Sequence, residues 1–275
     1  MILELNPRRN RKTTIWLALL GLGSIIGLNL ALHDGSPAKS ATEQQPTATA
    51  NQPEQKPEPV KPKPVTPPVA MPALGTMISK IPQKKPTVYL TFDDGPGKYT
   101  KDMVAVLDKY HVKGTFFWIG DNLNSDDKVA FAQKMAAEGH IIGTHTMHHQ
   151  QLRKNSKEAQ IKLITDSTTY VSSKVGIPIY YFRPPYGAID QNSLLASREA
   201  NQRFVYWSVD SLDWKHPNQP DIIMKNITSE VRPGAIILMH EKQTTLHMLP
   251  AIIDMLQKKG YQLEPLPQPA PATKA

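Results

Sequence analysis

The sequence predicts an α/β fold in which strands and helices alternate to form a (β/α) barrel, complete or short of a strand. Seven strand-like runs, rich in β-branched and aromatic residues, alternate with six segments of helical periodicity. The strand-like runs are almost continuously apolar, as expected of parallel strands that are buried on both faces. Polar clusters follow five of these runs. In such a barrel the carboxyl ends of the strands share one rim, so these clusters should meet there.

The elements follow from local patterns and from residues that begin or end helices. The predicted strands are 87–92, 115–120, 140–145, 179–184, 204–210, 235–240 and 261–263. The predicted helices are 99–110, 127–138, 156–175, 190–200, 220–231 and 245–259. Gly139, Gly176 and Gly260 follow three of the helices, in the position where glycine ends a helix. Asn155 is the expected N-cap of the third helix, with Glu158 three residues later.

The N-terminal part of the chain predicts membrane attachment. A basic segment, 1–13, precedes a charge-free apolar run of 19 residues, 14–32. A helix of that length spans about 28 Å, close to the hydrocarbon thickness of a bilayer. Basic residues before the run place the N-terminus in the cytoplasm and the rest of the chain outside. We therefore predict a single-pass anchor in the cell membrane, with a cleaved signal peptide and a secreted protein as the alternative.

A proline-rich segment follows the apolar run. Ten of the 25 prolines lie between His33 and Pro72, among few large apolar residues. This composition predicts a disordered linker over 33–76, and the stretch from His33 to Pro72 alone could reach roughly 120 Å if fully extended. The globular domain is then 77–266, and 267–275 is predicted to be a disordered tail.

Composition also excludes several classes of protein. The chain has no cysteine, which rules out disulfide scaffolds, iron–sulfur sites and cysteine nucleophiles. Its 32 lysines and arginines against 24 acidic residues give a net charge of +8, which favours anionic surroundings. The basic residues are spread along the chain and no basic helix is interleaved with aromatics, so we predict no nucleic-acid partner.

Two histidines and two aspartates in the polar clusters suggest a metal site. His145 and His149 are four residues apart, so on a helical turn both imidazoles would face one point. A carboxylate from Asp93 or Asp94 would complete a set of three ligands and leave one position open for water, as in catalytic zinc sites. Such a metal lowers the pKa of water and polarises a carbonyl. The other aspartate could then face the substrate as a base.

His240 ends another strand and could act as a general acid, with Asp213 as the carboxylate that orients it. Arg183 could offset the like charges of the paired aspartates. Each feature alone has an ordinary explanation, such as a turn or a core histidine. Their shared position on one rim favours a functional site. The remaining histidines are predicted not to bind the metal; these are His111, His140, His148, His216 and His247.

Together the clusters resemble the five motifs of the polysaccharide deacetylase family, also called carbohydrate esterase family four or the NodB-homology domain. In family order they are TFDDGP (91–96), HTMHH (145–149), RPPYG (183–187), DSLDW (210–214) and LMH (238–240). The resemblance covers about 85–263. It implies a distorted (β/α) barrel of seven or eight strands that hydrolyses N-acetyl groups on a glycan and releases acetate.

The resemblance also implies a role for each motif residue. The implied metal ligands are Asp94, His145 and His149, for a divalent ion, with Zn²⁺ favoured and Co²⁺ or Mn²⁺ as alternatives. Asp93 is the implied general base, held and tuned by Arg183. His240 is the implied general acid, tuned by Asp213. The residues implied to surround the acetyl group are Tyr186, through its backbone N–H, and Trp214 and Leu238, as walls of the pocket.

The predicted anchor and stalk, together with the absence of cysteine, suggest a Gram-positive cell surface, where the glycan within reach is peptidoglycan. We therefore expect a monomer that deacetylates the N-acetylglucosamine of peptidoglycan. The motifs do not separate this activity from chitooligosaccharide deacetylation, acetylxylan hydrolysis or deacetylation of N-acetylmuramic acid. A catalytically inactive glycan-binding module is the alternative from another class. A non-haem iron oxygenase would use similar ligands, but the alternating β/α pattern argues against it.

Overall fold

A computed structural model of the protein describes residues 72–83 and 85–268. The predicted cytoplasmic segment, the apolar run 14–32, nearly all of the predicted linker and most of the predicted tail lie outside the described residues. None of the helices formed by residues 72–83 and 85–268 is both long enough and apolar enough to cross a bilayer.

The described residues form nine strands and six helices, together with short 3-10 turns at Gly120–Asn122 and Pro185–Gly187. The strands are β1 (Met77–Ile78), β2 (Thr87–Asp93), β3 (Thr115–Trp118), β4 (Ile141–Thr144), β5 (Tyr181–Phe182), β6 (Arg203–Val205), β7 (Val209–Asp210), β8 (Ile236–His240) and β9 (Gln262–Glu264). The helices are α1 (Thr100–Lys109), α2 (Asp126–Ala137), α3 (Lys157–Val175), α4 (Gln191–Glu199), α5 (Pro220–Glu230) and α6 (Gln243–Lys258). Each helix begins and ends within two residues of its predicted boundary.

All strand pairs in the sheet are parallel. The hydrogen-bonded order is β1-β6-β5-β4-β3-β2-β8-β7, and β9 pairs with the first half of β2. Asp93 at the end of β2 lies opposite His240 at the end of β8. Curled in this way, with a helix between most strands, the sheet is the distorted (β/α) barrel that the sequence predicts.

The structure differs from the sequence-based elements in three places. The prediction of a single strand over 204–210 is wrong. This stretch contains two strands, because β6 pairs with β1 and β5 whereas β7 pairs with β8. Strand β1 was not predicted because two residues are too short to show periodicity. The N-cap of α3 is Ser156, whose hydroxyl accepts the N–H of Ala159 at 3.2 Å. Asn155 instead donates to carbonyls that precede it.

Apolar packing in the core fixes the strands and so fixes the positions of the polar side chains at their carboxyl ends. Every residue of β2 is buried, including Asp93 at its end, which is 3% exposed. Phe92 on this strand stacks on Phe116 of β3 with ring centroids 5.0 Å apart. The parallel register brings the ends of β2, β4, β5, β7 and β8 to one edge of the sheet, where all five polar clusters lie.

Candidate active site

A cleft of about 320 Å³ opens at this edge of the sheet. The predicted site residues that line it are Asp93, Asp94, His145, His149, Tyr186, Trp214, Leu238 and His240. The two remaining predicted residues, Arg183 and Asp213, are fully buried and hydrogen-bond to residues of the lining. The structure therefore brings all ten predicted residues to one place.

Asp94, His145 and His149 form a cluster with the donor set of a metal site. Oδ1 of Asp94 lies 3.5 Å from Nε2 of His149 and 3.8 Å from Nε2 of His145. The three ligand atoms lie within 4.8 Å of one another. Oδ1 of Asp94 is buried and has no hydrogen-bond partner among the described residues. A buried carboxylate oxygen without a donor, facing two imidazole nitrogens, fits a divalent cation.

The two histidines are oriented by groups behind them. Nδ1 of His145 lies 2.6 Å from the carbonyl oxygen of Arg183, and Nδ1 of His149 lies 3.1 Å from the hydroxyl of Tyr186. Each contact leaves Nε2 turned towards Asp94, as partners behind ligating histidines generally do. Burial lowers the pKa of His145 to about 3, so its ring is neutral, the form that binds metals.

Left-handed backbone conformations occur in four of the five motifs. The non-glycine residues with positive φ include Asp94 (73°), Thr146 (65°), His149 (59°), Tyr186 (61°) and Leu212 (58°). The histidine pair therefore lies in an irregular turn rather than on the helical turn considered from the spacing. Each such residue costs of order 1 kcal/mol, a strain that clusters where a site needs a particular side-chain direction.

Asp93 is held by a fully buried arginine. One terminal nitrogen of Arg183 donates to Oδ1 of Asp93 at 2.7 Å and to the hydroxyl of Thr91 at 2.9 Å. Its other N–H groups donate to the carbonyls of Val205 and Tyr206. Burial raises the pKa of Asp93 more than the guanidinium lowers it. The result is a fixed carboxyl with a raised pKa, suited to accepting a proton.

His240 and Asp213 form the second pair. Nδ1 of His240 lies 2.7 Å from Oδ1 of Asp213, and the backbone N–H of His240 donates to Oδ2 of the same carboxylate. Thr245 also donates to that carboxylate. Burial lowers the pKa of His240, but the hydrogen bond and charge of Asp213 outweigh it, so the pKa lies above its ordinary value. The raised pKa favours the protonated imidazole, whose Nε2 lies outside this pair and can donate a proton.

The cleft is bordered by exposed aromatics. Tyr186 and Trp214 are 69% and 51% exposed, which is unusual for large apolar side chains, whereas Leu238 is buried. The ring of Tyr186 packs edge-on against that of His149, with centroids 4.6 Å apart. Large exposed rings that line the cleft offer apolar faces to a ligand.

Two other histidines have separate partners. His148 pairs with Asp121 and is not part of the ligand cluster. His140 is buried below the sheet edge, and its Nδ1 accepts the N–H of Gly114 at 3.2 Å. Neither residue contributes to the cleft lining.

Sequence reasoning missed several residues that lie in or next to the cleft. Trp207, Asp210 and Lys242 line it but were not assigned a role. Trp207 belonged to an apolar run, and Lys242 lies two residues beyond the last motif, so only proximity to motif residues could have singled them out. Glu241, also unassigned, accepts a hydrogen bond from the indole of Trp118 beneath the loop of the first motif.

The arrangement therefore combines three side chains suited to binding a metal, a buried carboxyl, the hydrogen-bonded pair of His240 and Asp213, and an apolar wall. The family model for polysaccharide deacetylase matches residues 80–205. A chitooligosaccharide deacetylase from Bradyrhizobium sp. (strain ANU 289) is 35% identical over 199 residues, covering 66% of this chain and 90% of that protein. A peptidoglycan-N-acetylglucosamine deacetylase from Bacillus cereus is 35% identical over 192 residues, covering 68% of this chain and 69% of that protein.

The fold is also similar to a solved structure. A mutant of a CE4-family pseudoenzyme, described as having restored enzymatic activity, superposes with a TM-score of 0.65 at 26% identity. The match covers 70% of this chain and 71% of that one. The five motifs, the barrel and these relatives agree: the chain belongs to the polysaccharide deacetylase family, carbohydrate esterase family four, and is a metal-dependent hydrolase that removes N-acetyl groups from glycans.

Proposed function

We propose that the protein is a zinc-dependent deacetylase of peptidoglycan that acts on N-acetylglucosamine at the cell surface. The observation that carries the proposal is that Asp94, His145 and His149 lie in one cleft with two further groups. These are the buried carboxyl of Asp93 and the imidazole of His240. Two imidazoles and one carboxylate form a donor set that zinc uses in hydrolases, and Co²⁺ and Mn²⁺ are the alternatives. When bound, the cation would activate a water molecule and polarise the acetyl carbonyl.

Asp93 is proposed to take the proton of the attacking water. Its Oδ1 is engaged by Arg183 at 2.7 Å, which leaves Oδ2 as the accepting atom. Oδ2 lies 3.9 Å from Nε2 of His145, so it is next to the ligand cluster. Because the carboxyl is fixed, it is already oriented for proton transfer. A positioned general base typically contributes a factor of 10² to 10⁴ to the rate.

The backbone N–H of Tyr186 is proposed to donate to the oxygen that becomes negative during attack. Its left-handed φ of 61°, in the turn Pro185–Gly187, sets the direction of that N–H independently of the side chain. Loss of a single donor of this kind typically costs a factor of 10² to 10³ in rate. Leu238 and Trp214 would enclose the methyl of the acetyl group.

His240 is proposed to protonate the leaving amine from Nε2. The carboxylate of Asp213 holds Nδ1 and raises the pKa of the ring, which favours its protonated form before the transfer. Water is the nucleophile in this scheme, so no covalent enzyme intermediate is required.

The substrate is the finer part of the proposal. The Bacillus cereus relative is named as a peptidoglycan-N-acetylglucosamine deacetylase, and the predicted anchor and proline-rich stalk would hold a monomeric domain within reach of the wall. The Bradyrhizobium relative is named as a chitooligosaccharide deacetylase, which makes that activity the second candidate.

The test is acetate release by purified, detergent-solubilised full-length protein. Peptidoglycan, chitohexaose and acetylxylan are compared, each with added zinc and with a chelator. Chelator-sensitive release from peptidoglycan at the highest kcat/KM is the expected result. A preference for chitohexaose would replace the substrate but keep the mechanism. No release from any substrate by zinc-loaded protein would favour a catalytically inactive glycan-binding module.

A further inference from the structure

Glu241 is a half-buried acidic residue beneath the loop that carries Asp94, and no family motif includes it. Its Oε1 accepts the indole N–H of Trp118 at 2.8 Å, and its Oε2 accepts the hydroxyl of Thr100. Two donors, one from the end of β3 and one from the start of α1, therefore converge on one carboxylate.

The carboxylate lies directly against Gly95, the residue after Asp94. A Cβ added to Gly95 would lie 1.8 Å from Oε1 and 2.5 Å from Oε2, and its three nearest atoms all belong to Glu241. Gly95 is not in the left-handed region of φ, so its backbone conformation would accept alanine. A side chain at this position would therefore have to push the Glu241 carboxylate away from its hydrogen bonds with Trp118 and Thr100.

The same loop is tied on its other sides. The backbone N–H of Glu241 donates to the carbonyl of Asp93 at 3.1 Å, and that of Ile119 donates to the carbonyl of Gly95 at 2.9 Å. The side chain of Asn122 donates to the carbonyl of Asp94 at 2.8 Å. These contacts surround Asp94, whose φ of 73° an aspartate in a free chain seldom adopts.

We propose that Glu241 is a positioning residue that packs on Gly95 and fixes the 93–97 loop, so that the carboxylate of Asp94 points at His145 and His149. The inference rests on the proposed role of Asp94 as a metal ligand. Groups that orient a ligand in this way typically change metal affinity by 10-fold to 100-fold when removed.

The experiment compares zinc affinity, measured by competition with a chromophoric chelator, in the full-length wild type and in variants. Glu241→Ala is expected to weaken zinc binding at least about 10-fold, and Glu241→Gln, which keeps the volume and one acceptor, to lie between it and the wild type. Glu230→Ala, an exposed glutamate at the end of α5, is the matched control and should bind zinc like the wild type.

Coupling to Gly95 separates positioning from general destabilisation. Gly95→Ala should weaken zinc binding in the wild type because of the clash, but add no further loss in the Glu241→Ala background, where the carboxylate is absent. Strictly additive losses, or wild-type zinc affinity in Glu241→Ala, would overturn the inference. Should Glu241→Ala not fold, Glu241→Gln carries the test: wild-type zinc affinity in Gly95→Ala and Glu241→Gln would overturn it equally.

Asp94→Asn, measured in parallel, distinguishes the two levels of the proposal. Unchanged zinc affinity in Asp94→Asn would refute the role of Asp94 as a metal ligand, on which the inference rests. Lost affinity in Asp94→Asn with retained affinity in Glu241→Ala would refute only the role of Glu241. At saturating zinc, Glu241→Ala should lower kcat with KM unchanged within about threefold, since the carboxylate faces the loop rather than the cleft lining.

Discussion

Replacing Arg183 by methionine should destabilise the protein in a pH-dependent way. The guanidinium is fully buried and donates to Asp93, Thr91 and two backbone carbonyls. Methionine fills most of the volume but leaves the Asp93 carboxylate buried without its cation. Removing one partner of a buried ion pair typically lowers the free energy of unfolding by about 3–5 kcal/mol.

The loss of stability that comes from Asp93 has an upper limit, because the buried carboxylate can become neutral by binding a proton. From the ordinary aspartate pKa of 3.8, protonation at pH 7 costs about 4.4 kcal/mol, at 1.36 kcal/mol per pH unit. At pH 5 the same protonation costs only about 1.6 kcal/mol. The part of the destabilisation that comes from Asp93 should therefore be up to roughly 2.7 kcal/mol larger at pH 7 than at pH 5.

The sign follows from proton linkage. The pKa of Asp93 is already raised in the folded wild type and would rise further without Arg183. A folded state that binds more protons than the unfolded state loses stability as pH rises above the unfolded pKa. The free energy of unfolding of the variant should therefore fall more steeply between pH 5 and pH 7 than that of the wild type.

Urea unfolding of the metal-free proteins at pH 5 and pH 7 measures this difference. Arg232→Met, at an exposed arginine just after α5, is the control and should change stability by less than about 0.5 kcal/mol at both pH values. In an Asp93→Asn background, the pH dependence of the Arg183→Met penalty should vanish. An equal penalty at both pH values in the presence of Asp93 would refute the reasoning.

Four further predictions concern the chemistry. Asp93→Asn should keep zinc but lower kcat by about 10² to 10⁴, as read from metal content and acetate release; wild-type activity would remove Asp93 as the base. His145→Ala should lose metal and activity together, and unchanged metal content would break the ligand assignment. Asp213→Asn should lower the pKa of His240, because Asp213 holds it up, and shift the alkaline limb of kcat/KM to lower pH; an unmoved limb would contradict a proton donated by His240. Chelation should abolish activity and zinc should restore it, whereas activity that survives chelation would exclude the metal scheme.

The elements of the fold were predictable because their signals are local. The continuous apolar runs of β2 and β8 and the 3.6-residue periodicity of the helices reflect burial, which depends mostly on the residue types themselves. The division of 204–210 into β6 and β7 was not predictable. It follows from pairing with different neighbours, and the carbonyl of Tyr206 between the strands accepts a hydrogen bond from Arg183.

The sequence by itself determined the barrel and the set of polar residues on its rim, because parallel strands that alternate with helices must end at one edge. Residue spacing left open which of the two adjacent aspartates lies with the histidines; the family resemblance implied Asp94, and only the tertiary structure shows the physical reason. That choice depends on the left-handed φ of Asp94, which contacts from Asn122, Ile119 and Glu241 maintain. These residues are distant in sequence from the loop they hold, so no local pattern encodes their effect, and chain packing alone brings them together.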